Sequence, residues 1–277
     1  MTQIDMATSP ANLYLDLLKQ NLTRIGYGDT HRTLSANTQA RNLRAVYRVL
    51  SPFLSSLKLE IVRTVDYDVS RRELGLDWPA EAETMIGVRR LAQLQESVVT
   101  VLNDQVPGDL VETGVWRGGA SIFMRAVLKA YGDTERVVWL CDSFQGIPEP
   151  THPADIEEQV LNYDRLMVPI EQVQQNFARY GLLDDQVKFV KGWFSDTLPT
   201  APIDEIALLR LDGDQYQSTI DALNALYPRV SSGGFVVVDD YGVIKACREA
   251  VADYRDDHGI TEPIEDIDGS GVFWRKG

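Results

Sequence analysis

Two short acidic clusters each close an apolar run. One is Leu211-Asp212-Gly213-Asp214-Gln215-Tyr216, after the run Ile206-Ala207-Leu208-Leu209. The other is Val238-Asp239-Asp240-Tyr241, after Gly234-Phe235-Val236-Val237. If both runs are strands, their acids emerge at one sheet edge. Three or four converging carboxylates repel one another unless a cation lies between them. Oxygen ligands without His or Cys suit Mg²⁺ or Ca²⁺ rather than zinc. Solvated acids capping the next helix explain one such cluster easily, but two adjacent ones less well.

Three further places carry potential chemistry. Glu112-Thr113-Gly114-Val115-Trp116-Arg117-Gly118-Gly119 ends a short apolar run and leads into a helical pattern. Gly114 and Gly118 would let the backbone turn sharply and approach a ligand. The following helix N-terminus would offer free N–H groups. The stretch is not G-x-G-x-x-G and lacks the P-loop Lys-Ser/Thr, and Glu112 suits a cation or amino group better than a phosphate. Asp142, followed by Ser143, ends the next run, where an acid can accept hydrogen bonds from ribose hydroxyls. Trp193 and Phe194 follow the third run and could enclose an adenine, although core aromatics are equally common there. Residues 145–168 are long, acidic and Pro-rich, a candidate lid over the ligand edge. His152 within it reads as a solvated loop residue.

These residues need a scaffold that aligns strand ends. From residue 84 the pattern alternates: a helix from Thr84, then strand DLVETG, helix ASIFMRAVLKAYG, strand RVVWLCDSF, helix VQQNFARYGL, strand VKFVKGWF, strand IALLRLDGD, helix YQSTIDALNALYPRV, strand GGFVVVDDY and helix ACREAVADYRDDHG. Such alternation implies βαβ units and a mostly parallel sheet. EPIEDIDGSGVFWRKG should add an antiparallel hairpin at the edge. Residues 1–80 read as a helical N-terminal arm, covering acceptor or contacting another copy, and 81–277 as the catalytic domain. In the arm, Leu13, Leu17, Leu18 and Leu22 have helical spacing. Residues 41–61 repeat the pattern, with Pro52 expected to start, kink or end a helix.

Composition excludes several classes. There are 27 Lys and Arg against 41 Asp and Glu, a net charge of −14. That balance opposes wrapping nucleic acid or docking on an anionic membrane. Residues 1–80 hold 10 basic and 8 acidic side chains, and the remainder 17 and 33. The acidity therefore belongs to the expected catalytic part, and residues 32–72 form a basic segment with eight basic and three acidic side chains. Cys141 and Cys247 make no disulfide framework or metal spacing, so buried reduced thiols are expected. The N-terminus lacks the pattern of a signal peptide and no run reaches the length of a membrane span, so a cytoplasmic location is expected.

The segments LYLDLLKQNLTR, AETMIGVRRLAQLQ, ETGVWRGGASIFMRAVLKAYG, DSFQGIP, NFARYGLLDDQVKFVKGWFSDTLP, LRLDGDQYQSTIDALNALYPR, GGFVVVDDYG and ACREAVADYR resemble the TylF/macrocin O-methyltransferase family, including its mycinamicin- and novobiocin-type members. That resemblance runs from about residue 10 to the C-terminus. It implies a Rossmann-like class I methyltransferase with a seven-stranded sheet, S-adenosylmethionine as donor, required Mg²⁺, and a sugar hydroxyl of a glycosylated natural product as acceptor. It further implies Asp212, Asp239 and Asp240 as metal ligands and Asp214 as general base. Glu112 and Gly114 would contact the methionine part of the donor, Asp142 its ribose, and Thr84, Met85 and Ile86 would close over it. Glu157 would face the acceptor sugar. A homo-oligomer, dimer or tetramer, is expected. The family pattern departs at about 32–72, where this chain carries an extra basic segment. Metal chelation by two neighbouring oxygens would favour a vicinal diol, which keeps a catechol or polyphenol O-methyltransferase as the alternative. An NAD-dependent dehydrogenase should show G-x-G-x-x-G; a metal phosphoesterase leaves the glycine turn and Asp142 unexplained; a dead scaffold leaves the four intact acids unexplained.

Overall fold

The computed structural model describes residues 9–28, 31–33, 41–64, 66–158 and 164–277. Residues 34–40 and 65 of the basic segment, and 159–163 of the expected lid, lie outside that description. Seven strands make one sheet: β1 Asp109–Thr113, β2 Val138–Asp142, β3 Val187–Lys191, β4 Ile206–Leu211, β5 Val230–Val238, β6 Glu265–Asp266 and β7 Val272–Arg275. Their order is β3-β2-β1-β4-β5-β7-β6. All pairs are parallel except those made by β7, as the Gly-rich terminal hairpin predicts.

Strand residues alternate between two apolar layers. Leu110, Leu208 and Val237 face a layer with α4 (Val88–Asn103), α5 (Gly119–Ala130) and α7 (Ile170–Arg179). Val111, Leu209 and Val236 face α9 (Tyr216–Leu226) and α10 (Lys245–Asp257). The central strands β1 and β4 and the second half of β5 are buried on both faces, which is why they read as apolar runs, whereas the edge strands β3 and β6 are partly exposed. Cys141 and Cys247 are buried free thiols in the second layer.

The N-terminal helix α1 (Pro10–Thr23) differs from its expected face. It buries Leu15, Leu18 and Leu22 in the same core as α4 and α5, and leaves Leu13 and Leu17 exposed. Leu15 extends the i, i+3, i+7 stripe that seats a helix on a core. α2 (Arg41–Ser56) runs through Pro52. The carbonyl left without its partner belongs to Arg48, which is exposed and open to water. Residues 31–33 and 62–64 form a small antiparallel ribbon, and α3 spans Val69–Glu73.

The helix expected from Thr84 starts at Val88, and Thr84, Met85 and Ile86 precede it in non-helical backbone. Gly87 is its N-cap, and a Cβ there would lie 2.0 Å from the Glu73 carbonyl oxygen.

Strand register sets the site. Thr113 pairs with Cys141 on one side and Leu211 on the other, and Leu211 pairs with Val238. The next residue of each strand therefore leaves the sheet at one level: Asp142, Gly114, Asp212 and Asp239. Backbone bonds hold the row, from Gly114 N–H to the Cys141 carbonyl (2.9 Å), Asp212 N–H to Thr113 (2.8 Å) and Asp239 N–H to Leu211 (2.9 Å). The chain leaves β1 in opposite senses toward β2 and β4, so Gly114 and Asp212 flank the topological switch point where such sheets bind ligands.

Gly114 has φ +83°, and a Cβ on it would lie 1.6 Å from the Asp212 carbonyl oxygen. Gly114→Ala should therefore cost about 3 kcal/mol or more, lowering Tm by roughly 6–12 °C in thermal unfolding. A variant melting within about 2 °C of the parent would show that the two loops can separate freely.

Candidate active site

A cavity of about 430 Å³ opens beside the glycine turn. Gly114, Asp142, Ser143, Trp193 and Phe194 line it, with Asp212 and Asp214 at its inner end. Among the described residues, six carboxylates reach its wall, from Asp142, Glu149, Asp196, Asp212, Asp214 and Asp221, and no Lys, Arg or His does. Such a wall disfavours a phosphate-rich ligand and suits a cationic one. Asp142 braces the turn, its two oxygens accepting N–H bonds from Val115 and Phe144, both at 2.6 Å. Burial pushes its carboxyl pKa up, against the lowering by those bonds. The Ser143 hydroxyl approaches Asp142 Oδ1 as well, at 3.5 Å. The N-terminus of α5 is less open than expected, because Gly119 N–H donates to the Glu83 carbonyl at 2.9 Å.

A second cavity, about 410 Å³, lies on the other side of the acids. Thr84, Ile86, Glu112, Asp239 and Asp240 line it, and Met85, Trp116, Asp212 and Asp214 line both cavities. Glu112 thus faces away from the glycine-turn cavity. Glu157 is exposed on α6 (Pro153–Glu158) and lines neither.

Arg210 lies beneath the row, fully buried within β4. Its guanidinium donates to Glu112 Oε1 at 2.6 Å, Asp212 Oδ2 at 2.7 Å and Asp239 Oδ1 at 2.6 Å. Arg90 of α4 takes the other Asp239 oxygen at 2.5 Å and Asp268 at 3.0 Å. Glu112 also accepts the Ser121 hydroxyl. Burial raises the Glu112 pKa to about 7, with Arg210 and Ser121 opposing. Both Asp239 oxygens being committed to arginines, the acids that converge on one point are Asp212, Asp214 and Asp240, with one oxygen from each within 4.8 Å of the others. The cluster therefore contains Asp214 where Asp239 was expected.

These three acids suit a cation. Burial, then the charges of Asp212 and Asp239, push Asp214 to about 8. Burial and the charges of Asp214, Asp212 and Asp239 hold Asp240 well above the carboxylate range. Asp240 Oδ2 is buried with no hydrogen-bond partner among the described residues. Six acids, Glu112, Asp212, Asp214, Asp239, Asp240 and Asp268, stand against the two arginines Arg90 and Arg210. A hard dication bound by oxygen ligands alone would relieve that excess. Asp214 itself is held at φ +57°, a sparsely populated conformation for a residue with a Cβ.

A family model described as macrocin-O-methyltransferase (TylF) matches residues 11–276. The chain belongs to the TylF macrocin-O-methyltransferase family. It is an S-adenosylmethionine-dependent O-methyltransferase. It is 52% identical to the 8-demethyl-8-(2,3-dimethoxy-alpha-L-rhamnosyl)-tetracenomycin-C 4'-O-methyltransferase of Streptomyces olivaceus, over 98% of this chain and 95% of that one. It is 47% identical to the mycinamicin III 3''-O-methyltransferase of Micromonospora griseorubida, over 95% of this chain and 96% of that one. The solved structure of the O-methyltransferase NovP superposes with a TM-score of 0.82 at 42% identity, covering 96% of this chain and 99% of that one. No helix among the described residues is long and apolar enough to cross a membrane.

Arg210 and Arg90 were absent from the sequence-based site, although one had a signal. An arginine inside Ile-Ala-Leu-Leu-Arg-Leu is costly in a buried strand unless paired, and three acids lay near in the expected topology. Arg210→Met should destabilise the fold by about 3–5 kcal/mol, because it takes the paired cation from Glu112 and Asp212 and leaves Asp239 with Arg90 alone. Urea unfolding with an unchanged midpoint would show those acids are neutralised without Arg210.

Proposed function

We propose that this TylF-family chain methylates a hydroxyl of a sugar carried by a natural product. The observation that carries the reading is that the two cavities meet at Asp212 and Asp214. The glycine-turn cavity takes S-adenosylmethionine: its acidic wall suits the sulfonium and amino charges, Asp142 and Ser143 the ribose, and Trp193 the adenine. The second cavity takes the acceptor sugar; Met85, which lines both, stands between them, with Thr84 and Ile86 on the acceptor side.

Asp212, Asp214 and Asp240 would hold Mg²⁺, which as a Lewis acid lowers the pKa of a nearby hydroxyl. Asp239, tied to Arg210 and Arg90, orients the cluster from behind. Asp214 has two oxygens, so one can face the cation while the other accepts the acceptor's proton. The acceptor oxygen then forms its bond to the donor methyl as the methyl–sulfur bond breaks, leaving a methyl ether and S-adenosylhomocysteine. Holding both partners across Asp212 and Asp214 supplies much of the rate by proximity.

The rhamnosyl acceptor named for the Streptomyces olivaceus relative is 2,3-dimethoxy and is methylated at 4'. By that analogy the neighbour of the reacting hydroxyl here can be an ether oxygen, and a free vicinal diol is not required. The exposed apolar residues Val49, Phe53 and Leu57 of the arm support a homo-oligomer contact there.

Asp214→Asn should cut turnover about 10²-fold or more while donor binding survives in calorimetry. Near-normal turnover would remove the base. EDTA should abolish transfer and Mg²⁺ restore it, so a chelator-insensitive enzyme would remove the metal. In a screen of rhamnosyl glycosides against catechols, the glycosides should be methylated, and preference for catechols would overturn the acceptor class.

A further inference from the structure

The helix that follows Asp214 is capped from another part of the chain. α9 begins at Tyr216, and its own N-cap residue, Gln215, makes no side-chain capping bond. Instead Asp155, on α6 of the segment leaving β2, places its carboxylate against the helix start. It accepts the Tyr216 N–H at 2.6 Å and the Gln217 N–H at 3.2 Å. Asp155 is fully buried. A carboxylate on the first N–H groups of a helix satisfies orphan donors and meets the positive end of the helix dipole.

Two more ties join the same elements. The buried Gln215 side chain donates to the Pro148 carbonyl at 3.0 Å. The His152 ring stacks on Tyr216 with centroids 3.8 Å apart and planes 8° from parallel. Pro148 also lines the glycine-turn cavity, as do Gly146, Ile147 and Thr151. The loop carrying Asp214 is thus anchored at both ends. Asp212 is bonded to β1 on one side, and Tyr216 to Asp155 on the other. Between them Asp214 sits at positive φ, a conformation that persists only when its surroundings hold it.

We propose that Asp155 is a positioning residue: by capping α9 from the segment 145–158, it fixes Asp214 within the acid cluster. The wall of the donor cavity and the acid cluster are therefore one mechanical unit, and whatever lifts the wall unseats Asp214. The inference rests on the reading of Asp214 as part of the cation site.

Mg²⁺ binding to the full chain, measured by calorimetry, tests it without any acceptor. Asp155→Ala should weaken Mg²⁺ about 10–100-fold, the effect expected of a residue that orients a ligand. Asp155→Asn should fall between the parent and Asp155→Ala, because its single amide oxygen can keep the shorter bond from the Tyr216 N–H but not the one from Gln217 as well. In an Asp214→Asn background, Asp155→Ala should add nothing, since the residue it acts through is gone. Unchanged Mg²⁺ affinity in Asp155→Ala, with only a lower Tm, would overturn the proposal and leave a purely structural cap. So would a loss that persists in the Asp214→Asn background. Unchanged affinity in Asp214→Asn alone is a different failure: it removes Asp214 from the cation site and the inference with it. Should Asp155→Ala not fold, Gln215→Leu breaks the tie to Pro148 and carries the same cycle.

Discussion

A fully buried arginine in the middle of a parallel sheet governs this molecule. Arg210 cannot lose its proton, so it must be paired where it lies. Its partners come from three adjacent strands, Glu112 from β1, Asp212 from its own β4 and Asp239 from β5. Those acids are tolerable inside the protein only because of it, and it is tolerable only because of them. Arg90 extends the pairing to α4 and to Asp268 of the terminal hairpin, so sheet, helix and hairpin share one charge network.

Register turns that network into a site. Equal strand ends place Gly114, Asp142, Asp212 and Asp239 in one row, and the glycine is what lets β1 and β4 end so close together. The two arginines consume the charge of the rear acids. Asp212, which still faces the cavities, is left with Asp214 and Asp240, whose mutual repulsion is unrelieved. A buried charge excess next to two cavities is expensive for folding and useful for binding a cation.

The sheet was legible because fully buried strands write themselves as apolar runs between helical patterns, and the seven-stranded arrangement follows the expected alternation. The acids at the ends of β4 and β5 were legible for the same reason. What could not be read was which acid faced which partner. Asp239 and Asp240 are neighbours in sequence, yet the first turns to two arginines and the second into the cluster, a choice made by tertiary contacts that spacing does not encode. The expected helix over Thr84–Ile86 failed at Gly87, where the approach of the Glu73 carbonyl leaves no room for a side chain. α1 failed in detail, since four leucines at helical spacing do not say which flank meets α5. Asp155 had no local signal at all, because its target lies about sixty residues away.

The sign of the charge also bears on turnover. S-adenosylmethionine carries a sulfonium cation, and methyl transfer converts it to a neutral thioether. Among the described residues, the cavity proposed for it presents six carboxylates and no basic side chain. At an effective dielectric near 20, one unit charge at ~4 Å from another is worth ~4 kcal/mol, which salt and neighbouring protons reduce. On the proposed reading, the wall would hold the donor more tightly than the spent product, by a contact that ends with the reaction itself. Carboxylates that the arginines beneath the row had neutralised fully could not make that distinction. On the same reading, the incomplete neutralisation of the site is what would let it tell donor from product.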